Sequence, residues 1–372
     1  MTWSSSLSRS RLRQPHLSSP DIILTSFRPL SPPLPALCHP HPASPGLTGL
    51  PQYRLGPLGF LSTEDAEAPG NLGLLDQVAA LRWVQAHIGA LGGDPSLVTL
   101  AGLSAGGASV HYLHLSPRAR GLFHRAVTLS GSALCWWASL PRPGRTARAL
   151  GAALACPTSP SAALLACLRA RPAEEIIAAQ GGLYPWHAGA LEREPMNLWS
   201  PRVDQEAGAA ALLPQGLEEG EGAGVPLLVG VDETEGAWRA INFLGQPAVL
   251  QEFLEDFPAV LPLVLGLKDR VGGRVLCQQP PQVDPADLPG LVEQVSQLYF
   301  GQPRLTSSDL ARVEEIAPAL VNLMGDSMFN MPIDAMTRAY GESPGWLWPG
   351  PGTECVAQPG TAGRRCGCTS TT

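Results

Sequence analysis

Residues 97–115 read Leu97-Val98-Thr99-Leu100-Ala101-Gly102-Leu103-Ser104-Ala105-Gly106-Gly107-Ala108-Ser109-Val110-His111-Tyr112-Leu113-His114-Leu115, and their order decides the fold. The apolar, β-branched run from Leu97 to Ala101 predicts a buried strand. It stops at Gly102-Leu103-Ser104-Ala105-Gly106, and an apolar run compatible with a helix follows at once. A Gly-x-Ser-x-Gly turn between a strand and a helix holds its serine in a strained backbone conformation, with the hydroxyl exposed at the strand's end. Side chains at 102 and 106 would collide with the neighbouring strand and helix, so both positions need glycine. The N–H of Ala105, at the helix N-terminus, would point where an oxyanion forms. Taken alone, the five residues also fit a Gly-rich β–α turn with no chemistry.

Upstream, Leu74, Val78, Leu81, Val84 and Ile88 recur at steps of three and four, which predicts an amphipathic helix with Asp76 in its first turn and Gly89 near its end. Trp83 on that helix reads as a core or flank residue. Downstream, Ala126-Val127-Thr128-Leu129 is a second strand, ending at Ser130-Gly131-Ser132. Residues 226–231 are a third, followed by Asp232-Glu233-Thr234-Glu235-Gly236. Strands and helices in alternation imply a parallel sheet with crossover helices, an α/β fold. The Ala- and Leu-rich stretch 143–180 reads as helical, and 247–340 as largely helical with breaks at Gly272-Gly273, Pro280-Pro281, Pro285 and Pro289-Gly290.

Residues 1–50 hold nine prolines, many serines and no sustained periodicity, so disorder is the expectation there. An Arg- and Ser-rich, acid-poor start also suggests a transit peptide, although the prolines disfavour the amphipathic helix one needs. His39 and His41 beside Cys38 read as bystanders rather than metal ligands. Ordered sequence is expected over 51–342, and a Gly-, Pro- and Thr-rich disordered tail over 343–372. A net charge of −7 with 15% charged residues argues against nucleic acid as a partner. No apolar run reaches the roughly 18 residues that cross a bilayer, and no signal-peptide h-region is visible. No asparagine starts an Asn-x-Ser/Thr triplet.

The blocks Tyr53-Arg54-Leu55-Gly56, Gly59-Phe60-Leu61-Ser62-Thr63, Gly70-Asn71-Leu72-Gly73-Leu74-Leu75-Asp76-Gln77, Ala80-Leu81-Arg82-Trp83-Val84, Gly92-Gly93-Asp94-Pro95, Gly121-Leu122-Phe123 and Ser130-Gly131-Ser132-Ala133-Leu134 stand in one order around the serine turn. Together they resemble the type-B carboxylesterase/cholinesterase family of α/β-hydrolases. Weaker similarity runs through 200–204, 226–236 and 325–340. The resemblance implies hydrolysis of a small carboxylic ester through an acyl-enzyme, with no cofactor or metal. It carries the nucleophile to Ser104 and the acid to Glu235, with Asp232 and Glu233 as local alternatives. It also implies a disulfide between Cys156 and Cys167, hence an oxidising, secretory or extracellular setting that sits awkwardly with the lack of a visible signal peptide. Substrate and oligomeric state are left open.

Three departures from the family pattern accompany the match. No histidine follows His187, so none stands after Glu235, where the Ser–acid–His order of α/β-hydrolases puts the general base. His111 and His114 lie on a helix that runs away from the serine and read as packing residues; His187 is the only outside candidate. The family's His-Gly-Gly-Gly oxyanion segment has no counterpart in 1–50, leaving the N–H groups of Ala105 and, nearby, Ala108. The corresponding strand would be absent too, leaving a vacant place beside the serine's strand, and the family's last strand is also expected to be missing. Leu103 replaces the family's usual Glu and can be buried without a partner. These departures imply a nucleophile with little or no turnover. The alternatives are a non-catalytic cholinesterase-like binding or adhesion module, which usually alters the nucleophile, and a fragment without function.

Overall fold

The computed structural model describes residues 22–26, 47–139, 142–183, 197–217, 222–266 and 286–342. Its centre is one five-stranded sheet of β1 (Ile22–Ser26), β2 (Leu47–Gly49), β3 (Val98–Leu103), β4 (Arg125–Leu129) and β5 (Leu227–Gly230), in the order β2-β1-β3-β4-β5. The strands that carry the predicted site, β3, β4 and β5, run parallel, as the alternation of strands and helices requires. Along β3 burial alternates: Val98, Leu100 and Gly102 are buried, while Thr99, Ala101 and Leu103 are not.

A short helix α1 (Gly56–Phe60) leads to α2 (Leu72–His87), and α3 (Ala105–Leu115) leaves β3 through the serine turn. All five residues of the predicted helical stripe are buried, and they share one core with Val98, Leu100, Val110 and Leu113. From Gly106 to its end α3 is buried all round, which suits an apolar helix laid across the sheet. Trp83 lies on the helix flank, half-exposed against the His87 ring. Asp76 falls outside the first turn, because α2 starts at Leu72. Its carboxylate instead takes both Arg54 Nε and Nη2 at 2.7 Å and the Arg54 backbone N–H at 3.0 Å. Partial burial pushes the Asp76 pKa up, but the hydrogen bonds and charge of Arg54 outweigh it and hold the group below the usual carboxylate range.

The expectation of disorder throughout 1–50, and of a vacant place beside β3, is overturned at two short runs. Ile22–Ser26 pairs antiparallel with β3 from Val98 to Gly102, with Ile22 opposite Gly102 and Ser26 opposite Val98, and β2 pairs with its outer edge. The sheet is therefore mixed on that side. An open backbone edge on an interior strand is costly, and Ile-Ile-Leu-Thr is the one run of high strand propensity in a segment whose average composition hides it. Arg9, Arg11, Arg13, Cys38, His39, His41, His187 and the 343–372 tail lie outside the described residues.

The helices α4 (Pro143–Ala153), α5 (Ser161–Arg169) and α6 (Ala173–Ala179) occupy the predicted helical stretch. Cys156 and Cys167 are disulfide-bonded there, with Cα atoms 5.7 Å apart, and Leu164 and Leu168 pack around the bridge. After β5, α7 (Ala237–Leu244), α8 (Pro247–Glu255), α9 (Phe257–Val264), α10 (Leu288–Phe300) and α11 (Val313–Gly325) build a second apolar core around Phe243, Phe253, Phe257, Leu320 and Leu323. A π-helical turn, Asp326–Asn330, joins α11 to α12 (Met331–Glu342). Trp137 Nε1 donates to the Met328 carbonyl at 2.9 Å in that turn, tying it to the segment after β4. Among the described residues no helix is long and apolar enough to cross a membrane.

Candidate active site

Ser104 stands where β3 meets α3, with φ 55° and ψ −118°, a region that L-residues rarely occupy. Such a conformation costs of order 1–3 kcal/mol and persists only when the surroundings over-determine it. Three contacts do so. The Ser104 N–H donates to the Leu129 carbonyl at 2.8 Å, and its own carbonyl accepts from the Ala108 N–H at 3.0 Å. A Cβ on Gly102 would overlap the Gly106 carbonyl group, which explains the first glycine of the turn. The third contact escaped the sequence reading: a Cβ on Gly131 would overlap the Ser104 carbonyl oxygen. The only sequence signal for it was a glycine directly after strand β4, in Ser130-Gly131-Ser132.

The serine side chain is exposed, as the turn predicts. Ala105 opens α3, so its N–H belongs to the set at a helix start with no intrahelical partner. Ala108 is different: its N–H is bonded to Ser104 and is not available to a ligand, contrary to the sequence expectation. Leu103 is 54% exposed rather than buried, because it belongs to the alternate set of β3 residues that points away from the α3 side.

Strand register fixes where the acid loop lies. Leu103 is level with Leu129, and Leu129 with Gly230, so β3 and β5 end together with β4 between them. Two inter-strand spacings put those ends about 10 Å apart. Of the three loop carboxylates, Asp232 and Glu233 are exposed, while Glu235 is only 8% exposed and accepts the Asp232 N–H at Oε1, 2.9 Å. Gly236 holds this loop against α11, since a Cβ there would overlap the Val321 carbonyl. Burial, then the nearby Glu235 charge, pushes the Cys135 thiol up to about 12, so this buried free cysteine stays protonated.

The four described histidines are engaged elsewhere. His111 Nδ1 accepts the Ala133 N–H at 3.1 Å and sits 3.1 Å from the Ser132 hydroxyl. Burial lowers its pKa to about 3. His114 Nδ1 takes the Ala223 N–H at 3.2 Å and lies 3.0 Å from the Tyr340 hydroxyl; burial lowers its pKa as well. His124 Nδ1 accepts the Val98 N–H at 3.3 Å, at the opposite end of β3 from Ser104, and His87 lies against Trp83. The helix histidines are thus packing groups, and an exposed serine hydroxyl and a buried carboxylate share one end of the sheet.

A family model described as the carboxylesterase family matches residues 50–348. Esterase FE4 of Myzus persicae is 39% identical over 213 residues, covering 57% of this chain and 36% of that protein. Venom carboxylesterase-6 of Apis mellifera is 32% identical over 303 residues, 80% of this chain and 50% of the relative. Carboxylesterase 3 of Homo sapiens is 33% identical over 298 residues, with shares of 78% and 45%. The chain thus spans half or less of the length of these relatives.

Proposed function

The chain belongs to the carboxylesterase family, an α/β-hydrolase family acting on carboxylic esters, and on that footing we propose that Ser104 is an acyl-accepting nucleophile and Glu235 the carboxylate of its site. The strained serine turn carries this reading: a left-handed serine, held by three neighbours and exposed at a strand end, is hard to explain as packing. In the forward step the Ser104 Oγ–H attacks an ester carbonyl carbon, and the Ala105 N–H receives the negative charge that develops on oxygen. The alkoxide leaves with a proton, and an acyl-serine remains for water to cleave. Glu235 would orient an imidazole and stabilise its charged form, the part a buried acid plays in such sites. The described histidines have other partners, so among the described residues no imidazole stands ready to take the Ser104 proton, and the steps would be slow without one. Residual rates from binding and oxyanion donors alone are on the order of 10³–10⁴ over water. The bonded Cys156–Cys167 pair and the venom relative support an oxidising, extracellular or secretory setting.

Intact-mass spectrometry after long incubation with a small fluorophosphonate tests the assignment. One adduct is expected, on Ser104, absent in Ser104→Ala and formed faster when free imidazole is added. Adduct formation that is equal in Ser104→Ala would overturn it. A non-catalytic binding module is the second reading; it predicts no adduct even with imidazole.

A further inference from the structure

The loop that carries Glu235 is seated through a contact of backbone on backbone. Gly236 lies against the last turn of α11, where a Cβ on it would overlap the Val321 carbonyl and the Gly325 nitrogen. The fit is mutual: a Cβ on Gly325 would come to 3.0 Å from the Gly236 nitrogen and 3.6 Å from the Gly236 Cα. Close-packed backbones transmit displacement, so a shift at the end of α11 passes directly to the loop. The Asp232 N–H on Glu235 Oε1, 2.9 Å, closes the loop on itself, and it moves with its seat as a unit. Directly after Gly325 comes the π-helical turn, in which the Met331 N–H bonds to the Asp326 carbonyl five positions back. Single π-helical turns within helices are frequent at functional sites.

The Asp326 side chain clamps that turn. Oδ2 accepts the Tyr299 hydroxyl of α10 at 2.7 Å, and Oδ1 accepts Asn330 Nδ2, at the other end of the turn, at 3.0 Å. Burial, then the hydrogen bond to Asp326 and its charge, pushes the Tyr299 pKa up, so the hydroxyl stays a donor. From the opposite side Trp137 holds the Met328 carbonyl, and Trp137 belongs to the segment whose Cys135 thiol feels the Glu235 charge. The acid loop, the end of α11, the π-helical turn and the segment after β4 thus close a ring of contacts, which Asp326 ties to α10.

We propose that Asp326 is a positioning residue of the site: by fixing the π-helical turn behind Gly325, its side chain sets where the Glu235 carboxylate stands at the end of the sheet. The inference rests on Glu235 being the acid of the site, and deepens that reading. The role depends on the shape of the Asp326 side chain rather than on its charge. Asparagine keeps that shape, and the Tyr299 hydroxyl and the Asn330 amide can each turn to suit it.

Imidazole-assisted formation of the fluorophosphonate adduct at Ser104 reads the placement of Glu235, whereas the unassisted rate reads the serine turn alone. In Asp326→Ala the imidazole-dependent rate should fall about tenfold, part of the ~10²-fold that a 1 Å misplacement can cost, with the unassisted rate held within about two-fold. Tyr299→Phe removes one hydroxyl, should lower the imidazole-dependent rate about three-fold, and keeps the test valid where Asp326→Ala does not fold. Asp326→Asn should keep the parent's rate. A merely structural role would lower the unfolding midpoint and leave the ratio of the two rates unchanged. An unchanged ratio in Asp326→Ala and Tyr299→Phe, or an Asp326→Asn chain as slow as Asp326→Ala, overturns the proposal. Glu235→Gln separates this from failure of the acid. If it abolishes the imidazole-dependent rate while the other variants keep it, the positioning role alone falls; if it leaves that rate untouched, the acid assignment falls and the positioning role with it. Amide exchange at Asp232 reads the same displacement without any reaction. It should be several-fold faster in Asp326→Ala and Tyr299→Phe and parent-like in Asp326→Asn, and exchange unchanged in the first two would refute the proposal.

Discussion

Gly131→Ala should damage the protein far more than adding one methyl group suggests. The position has an ordinary backbone, so the effect is steric alone. Built on the native backbone, the new Cβ overlaps the Ser104 carbonyl oxygen and comes to 3.0 Å from the Ala108 nitrogen, striking both ends of the hydrogen bond that closes the serine turn. Both contacts are backbone atoms, so no flexible side chain can move aside. Overpacking of this kind costs about 1–3 kcal/mol, and weakening the Ser104–Ala108 bond adds about 1 kcal/mol, giving roughly 2–4 kcal/mol in all. At about 2–4 °C per kcal/mol for a domain near this size, the midpoint of thermal unfolding should fall by roughly 5–15 °C. Gly89→Ala is the control, because its Cβ would meet nothing within 4 Å. Differential scanning fluorimetry of both variants gives the comparison, with the fluorophosphonate adduct rate as a second readout that should fall in Gly131→Ala only. Equal midpoints for the two variants would refute the reasoning, since they would mean that the turn does not depend on the glycine opposite it.

Acid should destabilise the fold before its carboxylates titrate. The folded pKa values of His111 and His114 lie below the unfolded value of about 6.5, so the unfolded chain binds protons that the folded one does not. Their contribution is complete above about pH 6.5 and is lost as pH falls toward the folded values, about 3 for His111. The slope approaches about 1.4 kcal/mol per pH unit for each histidine. Urea midpoints from pH 7.5 to 4.5 should therefore decline below 6.5, and a flat profile would contradict the neutral, buried assignment. Replacing Cys156 and Cys167 by alanine frees a loop with a sequence separation of 11 and should cost about 3 kcal/mol by loop entropy. Denaturant midpoints identical to those of the parent chain would show that the bridge constrains nothing.

The parts of the fold governed by local pattern were legible in the sequence. The helix of Leu74, Val78, Leu81, Val84 and Ile88, the three strands that build the parallel part of the sheet, and the serine turn each announce themselves within about fifteen residues, because period and turn chemistry act over that range. What the sequence reading missed depends on partners distant in the chain. Ile22–Ser26 becomes a strand because β3 offers an unpaired edge more than seventy residues later, which the composition of 1–50 cannot report. Asp76 looked like a helix-start charge until Arg54 was found to claim it. Leu103 looked buriable because apolar residues usually are, but the alternation of β3 turns it to the open face. Gly131 gained its role only when β4 was aligned beside β3.

Building a nucleophile and activating it make separate physical demands, and in the proposed site the described residues meet the first more fully than the second. Exposure and strain at Ser104 come from the β3–α3 turn and from β4, through the Leu129 carbonyl and Gly131, and all of these lie within 98–131. Activation needs a base held between the serine and a buried carboxylate, and so depends on elements far apart in sequence. In the proposed site the carboxylate half of that demand falls to Glu235, which β5 and the close contact of Gly236 with α11 hold at the same end of the sheet. Elsewhere the imidazoles are used as buried acceptors: His111 and His114 receive backbone N–H groups through Nδ1, and protonation at that atom would break those bonds. A histidine so placed cannot also shuttle a proton at Ser104. Added imidazole is therefore the decisive reagent: acceleration at Ser104 that is lost in Glu235→Gln would assign the acid, whereas acceleration indifferent to that change would leave Glu235 as a loop-capping carboxylate for the Asp232 N–H.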